Sequence, residues 1–550
     1  MSFFQNIAGA QSNDAPAWAI NGDEVVLVWK GKDSSSVYVA LASGPQPKPN
    51  VTTGQYSFSS PQQITGPPIP GVPGIKGPIG SIPGPPIGTS AAPAIASLDG
   101  KLYLFFKGES DNKIYLTTSP DGKAWAAANP LEIAGQVAQT SHAPTVVSDS
   151  GSLYLFYKGA SDNHIWWSTF SHGSWAAQQV VSPATGGQPE TSDSPAVAVS
   201  GETIYLAVVG VQSNTVFWLT YDGSWSGQQE LPQFQTATAP SLVCDGNKVI
   251  SLTYVGLSSP LNVLPTLCFA TLPPNGTWSA PAVRYAIAPG ARPALLSTGN
   301  TSQDIVMAWI WVPGGENVDI SYGPLRLPPN SYVFTLLSFT CNQTRSGSWL
   351  PYQSIDTNYM SFQVQLSTSD TPVAVQDGPF SDIPGQSYFN ANNFDNGWSL
   401  PPISVPDDAQ VLMSYVIQNS SASPPEALKL VSTAAELLVA YGASAAASTG
   451  GAAIGAAIGA AIGTGTVPLI GTAIGALAGW LVSDVWGLLF PNCDGPVAAA
   501  VHVFTAEQLL SAGGVPVTAD ENYDPNMVTQ DGCGANPNYT VSWQVSPASG

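Results

Sequence analysis

APAIASLDGKLYLFFKGESDNKIY, from Ala92 to Tyr115, returns 51 residues later as APTVVSDSGSLYLFYKGASDNHIW, from Ala143 to Trp166. A phrase repeated at a fixed period specifies one supersecondary unit used several times, and it sets the architecture before any single side chain is interpreted. The anchor prolines fall at Pro16, Pro93, Pro144, Pro195, Pro240 and Pro293, spaced by 45 to 53 residues after a first gap of 77. That gap shortens to 54 once the 23 residues 66–88, rich in Gly, Pro and Ile, are set aside as an insert. Closing tryptophans keep the same beat at Trp125, Trp175, Trp225 and Trp278, with Tyr56 in the corresponding place of the first copy. The count is six units, the sixth degenerate.

Within a unit, short runs rich in Tyr, Val, Phe and Ile alternate apolar with polar residues between Gly and Asp, which is the strand pattern. Three strands and a weaker fourth fit each copy. The dipeptides before the tryptophans, Asp121-Gly122, His172-Gly173, Asp222-Gly223 and Asn275-Gly276, suit two-residue hairpin turns that need positive φ. Four-stranded antiparallel sheets of this length bury their faces by packing on one another around an axis. The expected fold class is mainly β, with a six-bladed β-propeller over residues 1–328 and a linear solenoid as its rival. The recurring tryptophans are assigned to the packing of one blade on the next.

SPDGKAW, Ser119 to Trp125, resembles the Asp-box of sialidase-type propellers, Ser-x-Asp-x-Gly-x-x-Trp, with one residue missing between Asp and Gly. The longer phrase, AlaPro through LysGly-x-SerAspAsn to the closing AspGly-x-x-Trp, is similar to the repeats of bacterial and fungal propeller lectins, including the Photorhabdus fucose-binding type. The resemblance covers residues 14–326. It implies glycan binding at repeated sites on or between blades, with no reaction catalysed. Candidate carbohydrate-binding residues are those of the loop between second and third strands and its neighbours: Asp111, Asn112 and Tyr115; Asp162, Asn163, His164 and Trp166; Asn214 and Trp218. Sugars need an aromatic face for their C–H surface and amide or carboxylate partners for their hydroxyls. The competing reading is structural: Asp-Asn forms an Asx turn and the aromatics pack between blades.

With 36 acidic and 15 basic residues the net charge is −21, which repels phosphate backbones and excludes nucleic acid as an expected partner. The start of the chain, MSFFQNIAG, lacks a basic region and a continuous apolar stretch, so no secretory signal is expected, leaving a cytoplasmic location or leaderless export. Five cysteines are too few and scattered for a disulfide scaffold or a metal site. Cys244 with Cys268, and Cys493 with Cys533, are the pairs that could close, reduced packing cysteines being the alternative. The insert carries Gly71, Gly74, Gly77 and Gly80, a collagen-like period too brief for a triple helix. An extended segment lying on the propeller is expected, a subunit contact being the sharper alternative.

From residue 329 the repeats stop. Five short β segments separated by turn-rich stretches read as a β-sandwich over 329–550, interrupted by a helical insertion at 423–490. Ser423 followed by Pro424, Pro425 and Glu426 is a helix start with a capping box, opening a helix over 426–447. Beyond it, Gly451, Gly455, Gly459 and Gly463, then Gly471, Gly475 and Gly479 after Pro468, recur every fourth position, and no charge occurs in 437–483. Such a stripe lets helices approach closely. It predicts a glycine-zipper hairpin, either membrane-active or buried, with membrane or self-association through 450–483.

Catalytic signatures are sparse. Sialidase chemistry needs three arginines about the substrate carboxylate, and the four present, Arg284, Arg292, Arg326 and Arg345, lie outside the first four blades. Neither a Gly-x-Ser-x-Gly elbow, a P-loop nor His-Glu-x-x-His occurs, and no cofactor is implied. The expected function is a lectin-like propeller protein, not an enzyme, with a membrane-active hairpin of defence or toxin type. The alternatives are an assembly protein that uses the insert and hairpin as interfaces, and an unrecognised glycoside hydrolase.

Overall fold

The computed structural model describes residues 5–43, 56–68, 84–257 except 186 and 237, 266–284, 289–298, 304–310, 319–326, 330–343, 357–369, 371–381, 386–388, 397–407, 409–420, 423–429, 431–433, 435, 495–511, 516–523 and 538–548. The chain divides into two compact units, essentially Ser2–Ser258 with Pro265–Arg326, and Leu327–Gly550.

In the first unit each repeat forms an antiparallel sheet. The second blade runs Ala94–Leu98, Lys101–Lys107, Ile114–Ser119 and Asn129–Pro130 in spatial order. The third repeats it with Thr145–Asp149, Ser152–Lys158 and Ile165–Ser171, its outer strand split into Ser174–Trp175 and Gln179–Val180. The inner strands of the six blades begin at Ala17, Ala94, Thr145, Ala196, Ser241 and Ala294. Each touches the next and the last touches the first, so the sheets stand in a ring and form a propeller.

Alternation along the strands builds a core in each of the six intervals between blades, with a second small cluster, Ala198, Ile250 and Leu272, between the fourth and fifth. Leu102, Leu104 and Phe106 face the first blade's Val26, Val28 and Val39, while Phe105 on the opposite face packs with Leu153, Leu155 and Tyr157 of the third. Trp125, Trp175, Trp225 and Trp278 each join the core between their own blade and the one before, and Tyr56 occupies the same place between the sixth and first. The sixth blade is completed from the other end of the chain: Gln5–Gln11 pairs antiparallel with Asp319–Pro324, which buries Ile7 and Ala10 and ties the ring shut.

The turns differ from the sequence expectation. Both central residues have positive φ at Asp99-Gly100 and Ser150-Gly151, in the hairpins between inner and second strands. Of the four turns expected to be of this kind, only His172-Gly173 is. At Asp121-Gly122 side chains reshape the turn. The Asp121 carboxylate accepts the N–H groups of Lys123 and Ala124, Ser119 Oγ accepts that of Gly122, and Trp125 Nε1 donates to the Gly122 carbonyl. The two backbone donors hold the Asp121 carboxyl below its usual range.

Of the two readings left open for Cys244 and Cys268, the structure has reduced cysteines: both thiols are free. Cys244 pairs with Ile250 and Cys268 with Tyr254, in the strands flanking Ile250–Gly256. Two strand spacings, about 9–10 Å across the sheet, and four residues along it therefore separate them, beyond the reach of a disulfide. Cys493 and Cys533 lie outside the described residues.

The second unit contains two antiparallel sheets. One is ordered Gln386–Tyr388, Asn330–Gln343, Asn538–Pro547, Val517–Tyr523, and the other Val373–Ser381, Thr357–Leu366, Gln410–Asn419, Gly495–Thr505. All five segments read as strands fall within them. Side chains of the two sheets meet at Phe334 with Phe504, Trp543 with His502 and Phe504, and Asn358 with Tyr539. A short helix, Ala506–Ser511, which sequence reading missed, starts from a reciprocal capping box: Gln508 Oε1 accepts the Thr505 N–H and Thr505 Oγ1 that of Gln508. Helical residues also follow Ser423, whose hydroxyl bonds Glu426. The glycine stripe Gly451 to Gly479 lies outside the described residues. Among those described, no helix is long and apolar enough to cross a membrane.

Candidate functional site

The loop between second and third strands is built the same way in four blades. A glycine ends the second strand, at Gly31, Gly108, Gly159 and Gly210, and an oxygen-bearing residue follows three positions later: Ser34, Asp111, Asp162 and Ser213. In each case that residue's oxygen folds back over the glycine, where a Cβ would collide with it. At Gly31, Gly108 and Gly210 the edge of an aromatic ring, Tyr38, Tyr115 or Phe217, closes over the same spot, 2.7 to 2.9 Å from where a Cβ would stand. Only bare backbone admits both groups.

The carboxylates do structural work here. Asp111 Oδ1 accepts the Lys113 N–H at 3.0 Å and Asp162 Oδ1 that of His164 at 3.0 Å, so both are Asx turns. The other oxygen of Asp111 accepts the Tyr115 hydroxyl at 3.2 Å and lies 3.5 Å from Lys113 Nζ. His164 Nδ1 stands 3.8 Å from Asp162 Oδ2. Asn112, Asn163 and Asn214 each give a backbone carbonyl to the next inter-blade linker, accepting the N–H of Thr140, Thr191 and Thr236. The amides of Asn112 and Asn214 are exposed and that of Asn163 is half-buried.

Register sorts the aromatics. Phe106 pairs with Tyr115, Tyr157 with Trp166, and Val208 with Phe217. Tyr115 and Trp166 therefore occupy one repeated position, half-buried at an inter-blade core. Trp218 is displaced by one residue from it and points to the other sheet face, where it packs edge-on against Trp278, ring centroids 5.8 Å apart. The fourth-blade equivalent of Tyr115 is Phe217. A period of two makes one residue of offset a change of face.

One of these positions opens onto a cavity. Between the first and second blades a groove of about 450 Å³ is lined by Phe106, Glu109, Ser110, Asp111 and Tyr115 on one side. Its other wall is the base of the 66–88 insert, Pro67, Pro85 and Pro86. That base is β-paired: the Gly66 N–H donates to the Pro85 carbonyl, the Ile87 N–H to Ile64, and the Val37 N–H to Ile87. Ile87 is buried in the core between these blades, so the insert adds to the first blade's sheet at both its ends. Residues 69–83, which hold Ile69, Ile75, Ile79 and Ile82, lie outside the described residues. Phe106 stacks behind Tyr115, centroids 5.6 Å apart at 15°, which fixes the tyrosine ring. Burial, with the neighbouring Asp111 carboxylate, raises the Tyr115 hydroxyl above its ordinary value, so it stays protonated. Glu109 leans over Gly88, whose missing Cβ would stand 2.6 Å from Oε2. Sequence reading overlooked Glu109 and the proline wall. The signal available was that the insert occurs in the linker facing this one loop. Among the described residues no His, Cys, Asp and Glu cluster could hold a metal ion.

No family model matches the chain, and no curated protein does. Solved structures do. The Aleuria aurantia lectin in complex with alpha-methyl-L-fucoside aligns over 56% of this chain and 89% of its own, at 12% identity and a TM-score of 0.37. A Hadza microbial sialidase aligns over 56% of this chain and 65% of its own, at 11% identity and a TM-score of 0.36. A GH43_1 enzyme from Xanthomonas citri complexed with xylose aligns over 51% and 93%, at 14% identity and a TM-score of 0.32. Lectins and glycosidases thus stand side by side at similar distance, and none of these likenesses assigns an activity to this chain.

Proposed function

We propose that this protein is a lectin-like, carbohydrate-binding propeller that takes a neutral sugar into the groove between its first and second blades and does not cleave it. The observation that carries the reading is the groove's chemistry. A tyrosine ring held by stacking and three prolines line it together with Glu109 and Ser110. An apolar face for C–H groups beside convergent polar groups is what a sugar ring requires, and about 450 Å³ suits a ligand of one or two rings. Binding is favoured over hydrolysis because both Asp111 oxygens already have partners. Among the described residues that line the groove, Glu109 then has no free carboxylate opposite it to complete an acid–base pair. Equivalent loops on the third and fourth blades would add weak sites and gain by multivalency. The finer reading, a membrane-active or self-associating 450–483, rests on the glycine spacing alone, as does the β-sandwich with its hairpin on the strand pattern.

A glycan array probed with the full chain, followed by titration of the best neutral glycan, tests the proposal. Tyr115→Ala should weaken binding by about tenfold or more and Glu109→Gln by a few fold, with the glycan recovered intact after prolonged incubation. No glycan hit, or binding indifferent to Tyr115→Ala in a folded variant, sinks the groove assignment. Released product would make the protein a glycoside hydrolase. Dye release from liposomes, by the whole chain against one lacking 423–490, tests the hairpin separately.

A further inference from the structure

The six inner strands enter the central cavity through equivalent residue pairs just before the anchor prolines: Asp14-Ala15, Ala91-Ala92, His142-Ala143, Asp193-Ser194, Thr238-Ala239 and Ala291-Arg292. Five of the six residues adjoining proline are Ala or Ser, and Ala15, Ala92 and Ala143 pack together there. The sixth is an arginine. Arg292 lines the central cavity of about 380 Å³ bounded by all six inner strands.

Two carboxylates act on this guanidinium through space, Asp193 and Asp14, but their oxygens are engaged elsewhere. Asp14 Oδ1 accepts the Ala15 N–H at 2.7 Å, and the carboxylate also draws on the N–H of Ala92 in the next blade. Asp193 accepts the Ser194 N–H at 2.6 Å and, from the next blade, that of Ala239 at 2.9 Å. Each carboxylate pins one blade to its successor. No hydrogen bond or ion pair joins Arg292 to any described residue, so the five N–H donors of this part-buried side chain are left facing the cavity.

Further positive charge gathers at the same end. Lys30, Lys107 and Lys158 close the second strands of the first three blades; Lys30 acts on Asp14, and Lys158 and Lys107 act on His142. Lys30 bonds Asn13 at 2.7 Å and Lys107 bonds Ser90 at 2.9 Å. Lys158 is only 8% exposed and has a single long contact, 3.4 Å to Ser141 Oγ. Four of the chain's 15 basic side chains thus lie at this end, beside Asp14 and Asp193, while Asp33, Glu109, Asp111 and Asp162 stand in the loops that follow the three lysines.

We propose that this end of the channel is a binding site for a small oxyanion, a carboxylate, sulfate or phosphate group, gripped by the Arg292 fork and attracted by Lys30, Lys107 and Lys158. A guanidinium that lines a cavity and is only part-buried keeps its N–H donors open to a ligand, and a planar or tetrahedral anion meets them in bidentate geometry. The site is separate from the groove, and either can fail without the other.

Titration of the full chain with sodium glucuronate, sodium sulfate, sodium phosphate and uncharged glucose, at an ionic strength held constant with chloride, reads it out. At least one oxyanion should saturate the protein below about 10 mM, while Arg292→Ala should weaken that binding by about tenfold or more and Lys123→Ala leave it unchanged. Arg292→Ala restores the residue other blades carry, so it should fold; Arg292→Gln serves if it does not. Glucuronate alone binding identifies the carboxylate of an acidic sugar, whereas sulfate or phosphate binding identifies a free inorganic anion, and both support the site. No saturation by any of the three anions, or unaltered affinity in the folded Arg292 variant, overturns it.

Discussion

Glu521 stands at the centre of the second unit's buried polar chemistry. Its carboxylate accepts from the hydroxyls of Tyr415 and Tyr523 and from Trp543 Nε1, and lies 3.3 Å from His502 Nε2. Neither ring nitrogen of His502 meets hydrogen-bond geometry with a partner, so this is a close approach of imidazole to carboxylate. Burial works to raise this carboxyl, but His502 and the hydrogen bonds from Tyr415 and Trp543 together bring it below its ordinary value. A depressed folded value means that the stabilisation is present above the ordinary carboxylate range and is lost as pH falls through the lowered one. Glu521→Gln should therefore cost about 3 kcal/mol near neutral pH, with the gap to wild type narrowing below about pH 4. Urea unfolding at several pH values, followed by tryptophan fluorescence, checks this; a gap constant down to pH 3 would refute it.

At the scale of the element, the tryptophan at the end of each repeat closes one blade on another, but the copies are not equal. Trp225 is buried against Phe156, Trp167 and Tyr221, the first two contacts edge-to-face at 6.1 and 5.6 Å between centroids. Trp175 is half-buried against Phe105 and Phe170. Removing a ring costs in proportion to the contacts it leaves empty. Trp225→Ala should lower stability by about 3–5 kcal/mol and Trp175→Ala by about 1–2 kcal/mol, read from denaturant midpoints at unchanged slope. Equal losses would show that burial depth does not rank the blade interfaces.

For the whole molecule, closure depends on residues more than 300 positions apart. Ser321 Oγ donates to Asn6 Oδ1 and Tyr322 Oη to Gln5 Oε1, both at 2.6 Å, and Gln11 Nε2 donates to Asp319 Oδ1 at 2.8 Å. Deleting residues 1–11 would strip the sixth blade of its outer strand and bare an edge able to pair with another chain. The truncated protein should melt about 10 °C lower and form dimers or larger species in light scattering. A monomer with an unchanged melting temperature would mean that the ring is held shut by the other inter-blade cores alone.

The sequence by itself determined whatever repeats. Alternation of two, a phrase recurring about every fifty residues and a tryptophan at each close are local signals, written into every copy, so the blades and their packing tryptophans could be read directly. The Asx turns at Asp111 and Asp162 were legible as one of two readings for the same reason. Tertiary structure decided whatever is unique to one place. The strand Gln5–Gln11 resembles no outer strand of the repeat, the face of Trp218 depends on register, and the groove needs an insert from one blade beside a loop of the next. The channel mouth needs Asp14, His142, Asp193 and Arg292 from four blades. No spacing along the chain encodes such meetings, because they arise only when curvature around an axis brings distant segments together.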